Sequence, residues 1–246
     1  MLPVPRLLPA GDSAIVVEYG DGIDLRINAR VRLLHRALGA GRPAGVVETV
    51  PAYRSLMVHY DPLVLSRVAI ERWIVGTADH LPADSPAACR TVEIPVVYGG
   101  AAGPDLADVA AHAGLDAHEV AGLHASVEYV VFMLGFMPGF PYLGGLPERI
   151  ATPRLATPRT LVPAGSVGIA GAQTGIYPAE SPGGWRLIGR TPVVLFDPNE
   201  SPPALLEAGD RVRFVPVVTT ADYDAIARDV AAGRYRPAVR AEGDGR

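Results

Sequence analysis

The sequence predicts an α+β protein of two domains, a ferredoxin-like α/β domain followed by a β-barrel. Over the first hundred residues, strand-like and helix-like patterns alternate in the order β-α-β-β-α-β, that of the ferredoxin-like split βαβ unit. From "GGAAGPDL" (Gly99 to Leu106) onward the character changes. Beyond Thr160, short β-like runs follow one another with Gly/Pro punctuation, the signature of a closed or partly closed barrel.

In the first domain, "SAIVVEY" (Ser13 to Tyr19) reads as a strand. "DLRINARVRLLHRAL" follows with Ile27, Val31, Leu34 and Leu38 at helical spacing. "GVVETV" and "YRSLMVHY" are strands joined tightly at Pro51-Ala52. "LSRVAIERWIVGTADHL" is a second helix, with Leu65, Val68, Ala69, Trp73 and Ile74 expected on or near one face. "TVEIPVV" (Thr91 to Val97) is a further strand, and Pro95 suggests an edge position or an exit from the sheet. "ADSPAAC" (Ala83 to Cys89) can instead be a linker, which gives that strand to the next domain. The boundary falls between 84 and 100, and the division adopted is 1–88, 89–220 and a tail at 221–246.

In the second domain, Pro104 opens a short helix that stops at Gly114, and Asp116 with Glu119 forms a capping box for another. "VEYVVFML" is an apolar strand leading into "GFMPGFPYLGGLPERIATPRLATPRT", a segment too apolar for an ordinary loop and too rich in proline for a core strand. The β-like runs are "TLVPA", "SVGIAG", "QTGIY", "WRLIG", "TPVVLF" and "RVRFVPVV". A short helix and a frayed tail end the chain.

Hydrophobic residues make up 49% and charged residues 20% of the 246, as in a folded globular protein, and the net charge of −4 argues against nucleic acid or an anionic membrane as partner. All 22 basic residues are arginine, which excludes a lysine Schiff base and a phosphate-loop lysine. Cys89 is the single cysteine, so there is no internal disulfide and no cysteine metal cluster. No secretory signal or membrane-length apolar run is present, and the expected location is cytoplasmic.

Candidate chemistry is scattered. His112, His118 and His124 recur at intervals of six, a spacing that does not make a zinc site; His124 stands out because it precedes the strand feeding the rigid segment. "PAGSVG" superficially resembles a nucleophile elbow but has Ala164 for the first glycine and no following helix, which leaves Ser166 as a pocket hydrogen-bond donor. In "SPGGWRLIG", Gly183 and Gly184 can offer backbone N–H groups to an anion beside Arg186, or else form a hairpin turn with a packed tryptophan. "QTGIYP" supplies Gln173, Thr174 and Tyr177 in an apolar neighbourhood, with Thr174 on the opposite strand face from the other two unless Gly175 makes a bulge. The echo "ATPRLATPRT" sets Arg154 and Arg159 on proline-stiffened backbone, where they clamp an anion or form a solvated rim.

As a set, "GFMPGFPYLGGLP", "TPRT", "VPAGSVGIAG", "QTGIYP", "SPGGWRLIGRTP" and "LFDP" resemble the family of B-type 5-oxoprolinase subunits (PxpB), also called allophanate hydrolase subunit 1 or KipI. "GDSAIVVEYG", "VETVPAYRSLMVHYDP" and "EIPVVYGGAAGPDL" look like the same family in the same order, so the resemblance spans residues 8 to 220. It implies a cyclophilin-like barrel as the second domain. It also implies a non-autonomous subunit of ATP-dependent 5-oxoprolinase, acting with subunits C and A to convert 5-oxoproline to glutamate. ATP, with Mg accompanying it, would be shared with a partner subunit; the chain has no biotin-attachment segment. Other family roles are inhibition of a sensor histidine kinase, as in KipI, and the carboxyltransferase part of a urea carboxylase. The site implied lies at the mouth of the barrel. His124, Gln173, Thr174 and Tyr177 are expected as catalytic polar groups, Phe136, Phe140, Tyr142, Arg154 and Ser166 as substrate contacts, and Gly183, Gly184 and Arg186 near the nucleotide.

Overall fold

The computed structural model describes residues 5–82 and 90–241. The first residues of the N-terminal segment, the candidate linker with Cys89, and the last five residues lie outside that range. The chain divides into two compact units, 1–87 and 88–246.

The first unit runs β1 (Arg6–Pro9), β2 (Ala14–Glu18), α1 (Leu25–Ala40), β3 (Val46–Pro51), β4 (Ser55–Tyr60) and α2 (Arg67–Asp79). Its four strands pair antiparallel in the order β1-β2-β4-β3. This is the ferredoxin-like sheet with one substitution: the edge strand expected after the second helix comes instead from the N-terminus, as β1. "TVEIPVV" belongs to the second unit. Asp24 caps α1 by accepting from the N–H groups of Arg26 and Ile27, and Val31, Leu34 and Leu38 are buried as their spacing predicts. The face of α2 differs from expectation. Ser66 caps it, Ile70, Ile74 and Ala78 are buried, and Val68, two residues and so about 200° round from Ile70, is 64% exposed.

The second unit contains β5 (Arg90–Tyr98), α3 (Leu106–Ala113), α4 (Ala117–Ala125), β6 (Glu128–Leu134), β7 (Pro141–Gly144), β8 (Arg159–Val162), β9 (Ser166–Ala170), β10 (Gln173–Ile176), β11 (Ser181–Gly183), β12 (Arg186–Arg190), β13 (Arg211–Pro216), α5 (Thr220–Ala231) and β14 (Val239–Ala241). Seven strands in the order β12-β9-β10-β7-β6-β13-β5 close into a barrel through the pairing of β5 with β12. Val92, Ile94, Val96, Val131, Leu143, Val167, Ile169, Ile176, Ile188 and Val212 fill its interior. Such alternating β-branched and leucine side chains each contribute roughly 1.5–3 kcal/mol by leaving water. The capping box of Asp116 and Glu119 and the left-handed Gly114 stop are both present.

Pro95 sits in the middle of β5, not at an end. On one side β5 pairs with β14 at residues 90–92 and with β12 at 97–98. Glu93 N–H donates to Ala238 on that side. By alternation the missing N–H of Pro95 faces the same side, in the gap between the two ladders, where it costs nothing.

Three other expectations are corrected. "TPVVLF" is irregular, with one bridge from Phe196 to Ala204. The tail is not frayed throughout: β14 pairs with β5, and Arg240 bonds Glu93 at 2.9 Å. The proline-rich segment contains a barrel strand, β7, with Pro141 at its first position, where a missing donor is tolerated.

Candidate functional site

β10 sits between β9 and β7 and separates two groups of polar and aromatic side chains. Residues alternate across a strand, so Thr174 faces the barrel interior while Gln173, Gly175 and, just past the strand end, Tyr177 face outward.

On the inner side, His124 is fully buried at the end of α4. Its Nε2 lies 2.9 Å from Thr174 Oγ1 and its Nδ1 lies 2.8 Å from the Tyr98 hydroxyl. Thr174 Oγ1 is also 3.0 Å from the Gly168 carbonyl, which can only accept. The threonine proton therefore goes to Gly168, Nε2–H donates to Thr174, and Nδ1 accepts from Tyr98. Tyr129 donates to the His124 carbonyl at 2.7 Å, and Phe214 stacks on the imidazole with ring centroids 4.5 Å apart. Burial depresses the His124 pKa from 6.5 to about 3, so the ring is neutral, and the same burial raises the Tyr98 and Tyr129 phenols well above the usual range. Both ring nitrogens are committed inside the barrel.

On the outer side, Phe140, Tyr177 and Trp185 are buried together with Val162, Ala170 and Leu187. Phe140 is the hub, meeting Tyr142, Tyr177, Trp185 and Phe136 edge-to-face at centroid distances of 4.9, 5.2, 5.5 and 5.6 Å. Gly175 makes the packing possible: a Cβ there would sit 2.9 Å from the Pro141 carbonyl and 3.0 Å from the Trp185 ring. Its cross-strand partner is Gly168, over which the Trp185 Cβ lies.

Phe136 rims this cluster. It is 61% exposed and has φ of 68°, the positive value found at no other non-glycine among the described residues. A bulky aromatic in the left-handed region is held there by its surroundings at a cost of about 1–3 kcal/mol. Arg154 lies over the Trp185 ring, its guanidinium carbon 5.8 Å from the centroid, with no carboxylate partner among the described residues. The Gln173 Nε2 is buried and donates to nothing. Burial raises the Tyr177 phenol pKa, against opposing effects from the Trp185 backbone N–H and from Arg154; burial likewise raises that of Tyr142, with Arg154 again opposing.

The structure thus gathers Phe136, Phe140, Tyr142, Tyr177, Arg154 and Gln173 on the outer face and sets His124 and Thr174 apart inside. Ser166 donates to the Pro163 carbonyl at 2.7 Å and stabilises a local turn. The Gly183, Gly184 and Arg186 set does not fit a phosphate. Neither glycine has the positive φ of an anion-binding nest, Gly183 is small because a Cβ would strike the Tyr177 hydroxyl at 2.5 Å, and Arg186 is paired with Asp108 at 2.9 Å. The hairpin turn is not formed either: Gly183 lies in β11, paired with Arg159 of β8, while β12 belongs to the barrel sheet. The two arginines of the echo also part company. Arg159 bonds the buried Asp105 at 2.6 Å, whose other oxygen accepts from Leu187 N–H, while Arg154 stays available. Among the described residues no three His, Cys, Asp or Glu side chains converge as a metal site.

Sequence reasoning missed Tyr98 and Asp105. Tyr98 closes an apolar strand as its one phenol, the available signal for a buried polar partner; the link from Asp105 to Arg159 crosses 54 residues and leaves no local pattern. Trp185 was legible only as a packed hairpin residue, not as the floor under an arginine.

A closed barrel carrying an aromatic cluster and an exposed arginine on its outer wall follows a ferredoxin-like unit in the chain, the architecture of an α+β protein of two units. The chain belongs to the carboxyltransferase domain family, subdomains C and D, which matches residues 5–206. Among curated relatives, the B-type subunit of 5-oxoprolinase from Escherichia coli O157:H7 is 52% identical over 212 residues, covering 84% of this chain and 93% of that one. The Bacillus subtilis protein of the same name is 45% identical over 87% of this chain and 93% of its own. The solved structure of TTHA0988 superposes with a TM-score of 0.75 at 41% identity, over 84% of this chain, which spans only 40% of that one. The Kluyveromyces lactis urea amidolyase shares the fold at a TM-score of 0.80 and 24% identity, across 97% of this chain and 16% of that protein.

Proposed function

We propose that this chain is the B-type subunit of an ATP-dependent 5-oxoprolinase, a non-autonomous component of an enzyme that opens the cyclic amide 5-oxoproline to glutamate. The observation that carries this reading is the identity of 44–52% to three proteins named as B-type subunits of 5-oxoprolinase, of which the chain covers 93–97%. The chemistry agrees with a shared task. A lactam is a stable amide, and ATP supplies the activation that makes its carbonyl carbon electrophilic.

No lysine exists in the chain, and the paired glycines and Arg186 are engaged elsewhere. In this reading ATP is therefore bound by the partner subunits, C and A, and the present chain binds and orients organic substrate on the outer wall of its barrel. Phe140 and Trp185 exclude water there and Arg154 attracts an anion. His124 and Thr174 act as positioning residues, holding α4 against β10 from within. The urea amidolyase relatives, 25–27% identical and matched over 14% of their own length, are more distant.

Reconstitution tests the proposal. The chain is purified with subunits A and C, and glutamate and ADP formation are followed with 5-oxoproline as the sole substrate. Turnover should fall to background when this chain is omitted and return when it is added back. Full turnover without it overturns the reading.

A further inference from the structure

The last helix, α5, is covered on one side and open on another. Tyr223, Ile226 and Val230 recur at helical spacing and are half-buried. About 120° further round the helix, Ala221, Asp224, Ala227, Arg228 and Ala231 line an open groove of about 630 Å3. All of these but Ala227 are exposed. Two other charges on the helix are satisfied: Asp222 accepts from the Thr219 hydroxyl at 2.7 Å, and Asp229 accepts from Arg234 at 2.7 Å. Asp224 and Arg228 form no ion pair and no side-chain hydrogen bond among the described residues, although their spacing of four would let them meet each other.

We propose that this face is a self-association surface, on which α5 packs antiparallel against α5 of a second copy of the chain. Residues 221, 224, 228 and 231 are separated by three, four and three positions, the spacing of a coiled-coil seam. The seam is self-complementary in one direction only. About a two-fold axis at the level of residue 226, Ala221 lies opposite Ala231 of the second copy and Asp224 opposite Arg228 of the second copy, and each contact occurs twice. A parallel pair would instead set carboxylate against carboxylate and guanidinium against guanidinium. The antiparallel arrangement also opposes the two helix dipoles favourably. The charge pattern selects the occupant; the alanines let the helix axes approach to about 8 Å, near enough for the charges to meet. Val218, just before the capping Thr219, is 89% exposed and comes beside the last turn of the copy's helix. The 12-residue helix is only about 18 Å long, so the seam buries less than the roughly 1,200–2,000 Å2 of a standard interface. The dimer is accordingly weak, with Kd on the order of 10–100 µM. An assembly built on this contact holds the chain in pairs. The proposal is independent of the 5-oxoprolinase reading.

Charge exchange tests it. Sedimentation velocity is run on the full chain from about 5 to 500 µM, a range that brackets the expected Kd. The unmodified chain should pass from monomer to dimer across that range, and raising salt from about 0.05 to 0.5 M should weaken the dimer several-fold. Asp224→Arg alone and Arg228→Asp alone each replace two attractions with two repulsions, and each should raise Kd by about tenfold or more. The double variant restores opposite charges across the two-fold axis and should return Kd to within about threefold of the parent. Both positions are exposed, so the folded state is retained, and the recovery in the double variant is its own control for folding. A chain that stays monomeric throughout overturns the proposal. So does a dimer that ignores both single variants, because another face then holds it. Loss in each single variant without recovery in the double rejects the antiparallel pairing.

Discussion

The two faces of β10 put similar chemistry to opposite uses. On the inner face an imidazole, the Tyr129 phenol and a hydroxyl are buried beside the half-buried Tyr98, and every proton has an acceptor: Tyr98 to His124, His124 to Thr174, Thr174 to Gly168, and Tyr129 to the His124 backbone. On the outer face, an amide donor has no partner, a guanidinium has no carboxylate, and an aromatic is held in strained backbone at the surface. A saturated network specifies packing, since each member is costly to remove and has nothing left to offer a ligand. Groups that the fold positions but leaves unsatisfied are free to recognise something else. The distinction lies in the hydrogen-bond inventory rather than in residue type.

The largest expected effect breaks the inner face with acid. His124 has a pKa near 3 in the folded chain against 6.5 unfolded. Its neutral form is favoured by folding, so the stabilising effect is complete above pH 6.5 and declines as pH falls toward 3. Throughout that window the unfolded chain binds a proton that the folded chain refuses. Each pH unit then costs about 1.4 kcal/mol, and the whole window on the order of 5 kcal/mol. Tyr98, Tyr129 and Phe214, which face the ring, carry no charge across this range. His35 in the first unit, also depressed by burial, adds a slope of the same sign, so the informative quantity is the difference between the parent and His124→Asn. Urea unfolding at pH 7 and pH 4.5 should show the variant less stable at pH 7 yet with the shallower pH dependence. Equal slopes would mean that His124 is not the group responsible.

The same contrast explains how much could be read from the sequence. Val31, Leu34 and Leu38 announced α1 through their spacing, and Asp116 with Glu119 announced α4, because both signals are local and enforced by backbone geometry. The barrel was visible in its short runs and turns. The opposed faces of Thr174 and its neighbours followed from the period of two. What the chain could not show was pairing at a distance. β1 takes the edge of the first sheet because it forms a hairpin with β2, and β5 leaves for the barrel because β13 lies parallel beside it. His124 looked like a candidate catalytic group because it precedes the strand entering the rigid segment. Its partner Thr174 is 50 residues away. Arg154 and Arg159 are equivalent in sequence, and only Asp105 tells them apart.

A middle-sized effect comes from joining the two faces at Gly175. A methyl group there meets the Pro141 carbonyl, Trp185 and Phe140 at 2.9–3.1 Å, so Gly175→Ala forces the outer rings off the wall while leaving Thr174 pointing inward. The backbone at this glycine is not left-handed, so the cost is overpacking alone, about 1–3 kcal/mol. Denaturant unfolding should report that loss, with a matching drop in 5-oxoproline affinity and no change in the pH slope set by His124. A stability unchanged within error would show that the ring stack has room to shift and is not the rigid floor described above.

The smallest effect is also the most discriminating, because stability and binding should move in opposite directions. Phe136 carries φ of 68°, which glycine adopts without penalty, and its side chain is mostly in solvent. Phe136→Gly relieves the backbone strain and gives up edge-to-face packing on Phe140 and Tyr177 at 5.6 and 6.4 Å. The net change in unfolding free energy should lie within about 1 kcal/mol of zero or be slightly stabilising, since the strain relieved and the aromatic packing forgone are of similar size. KM of the assembled enzyme for 5-oxoproline should nevertheless rise on the proposed reading, because the exposed edge of the outer aromatic cluster is gone. A variant clearly less stable, with KM unchanged, would move Phe136 from the ligand-facing side of the comparison to the packing side.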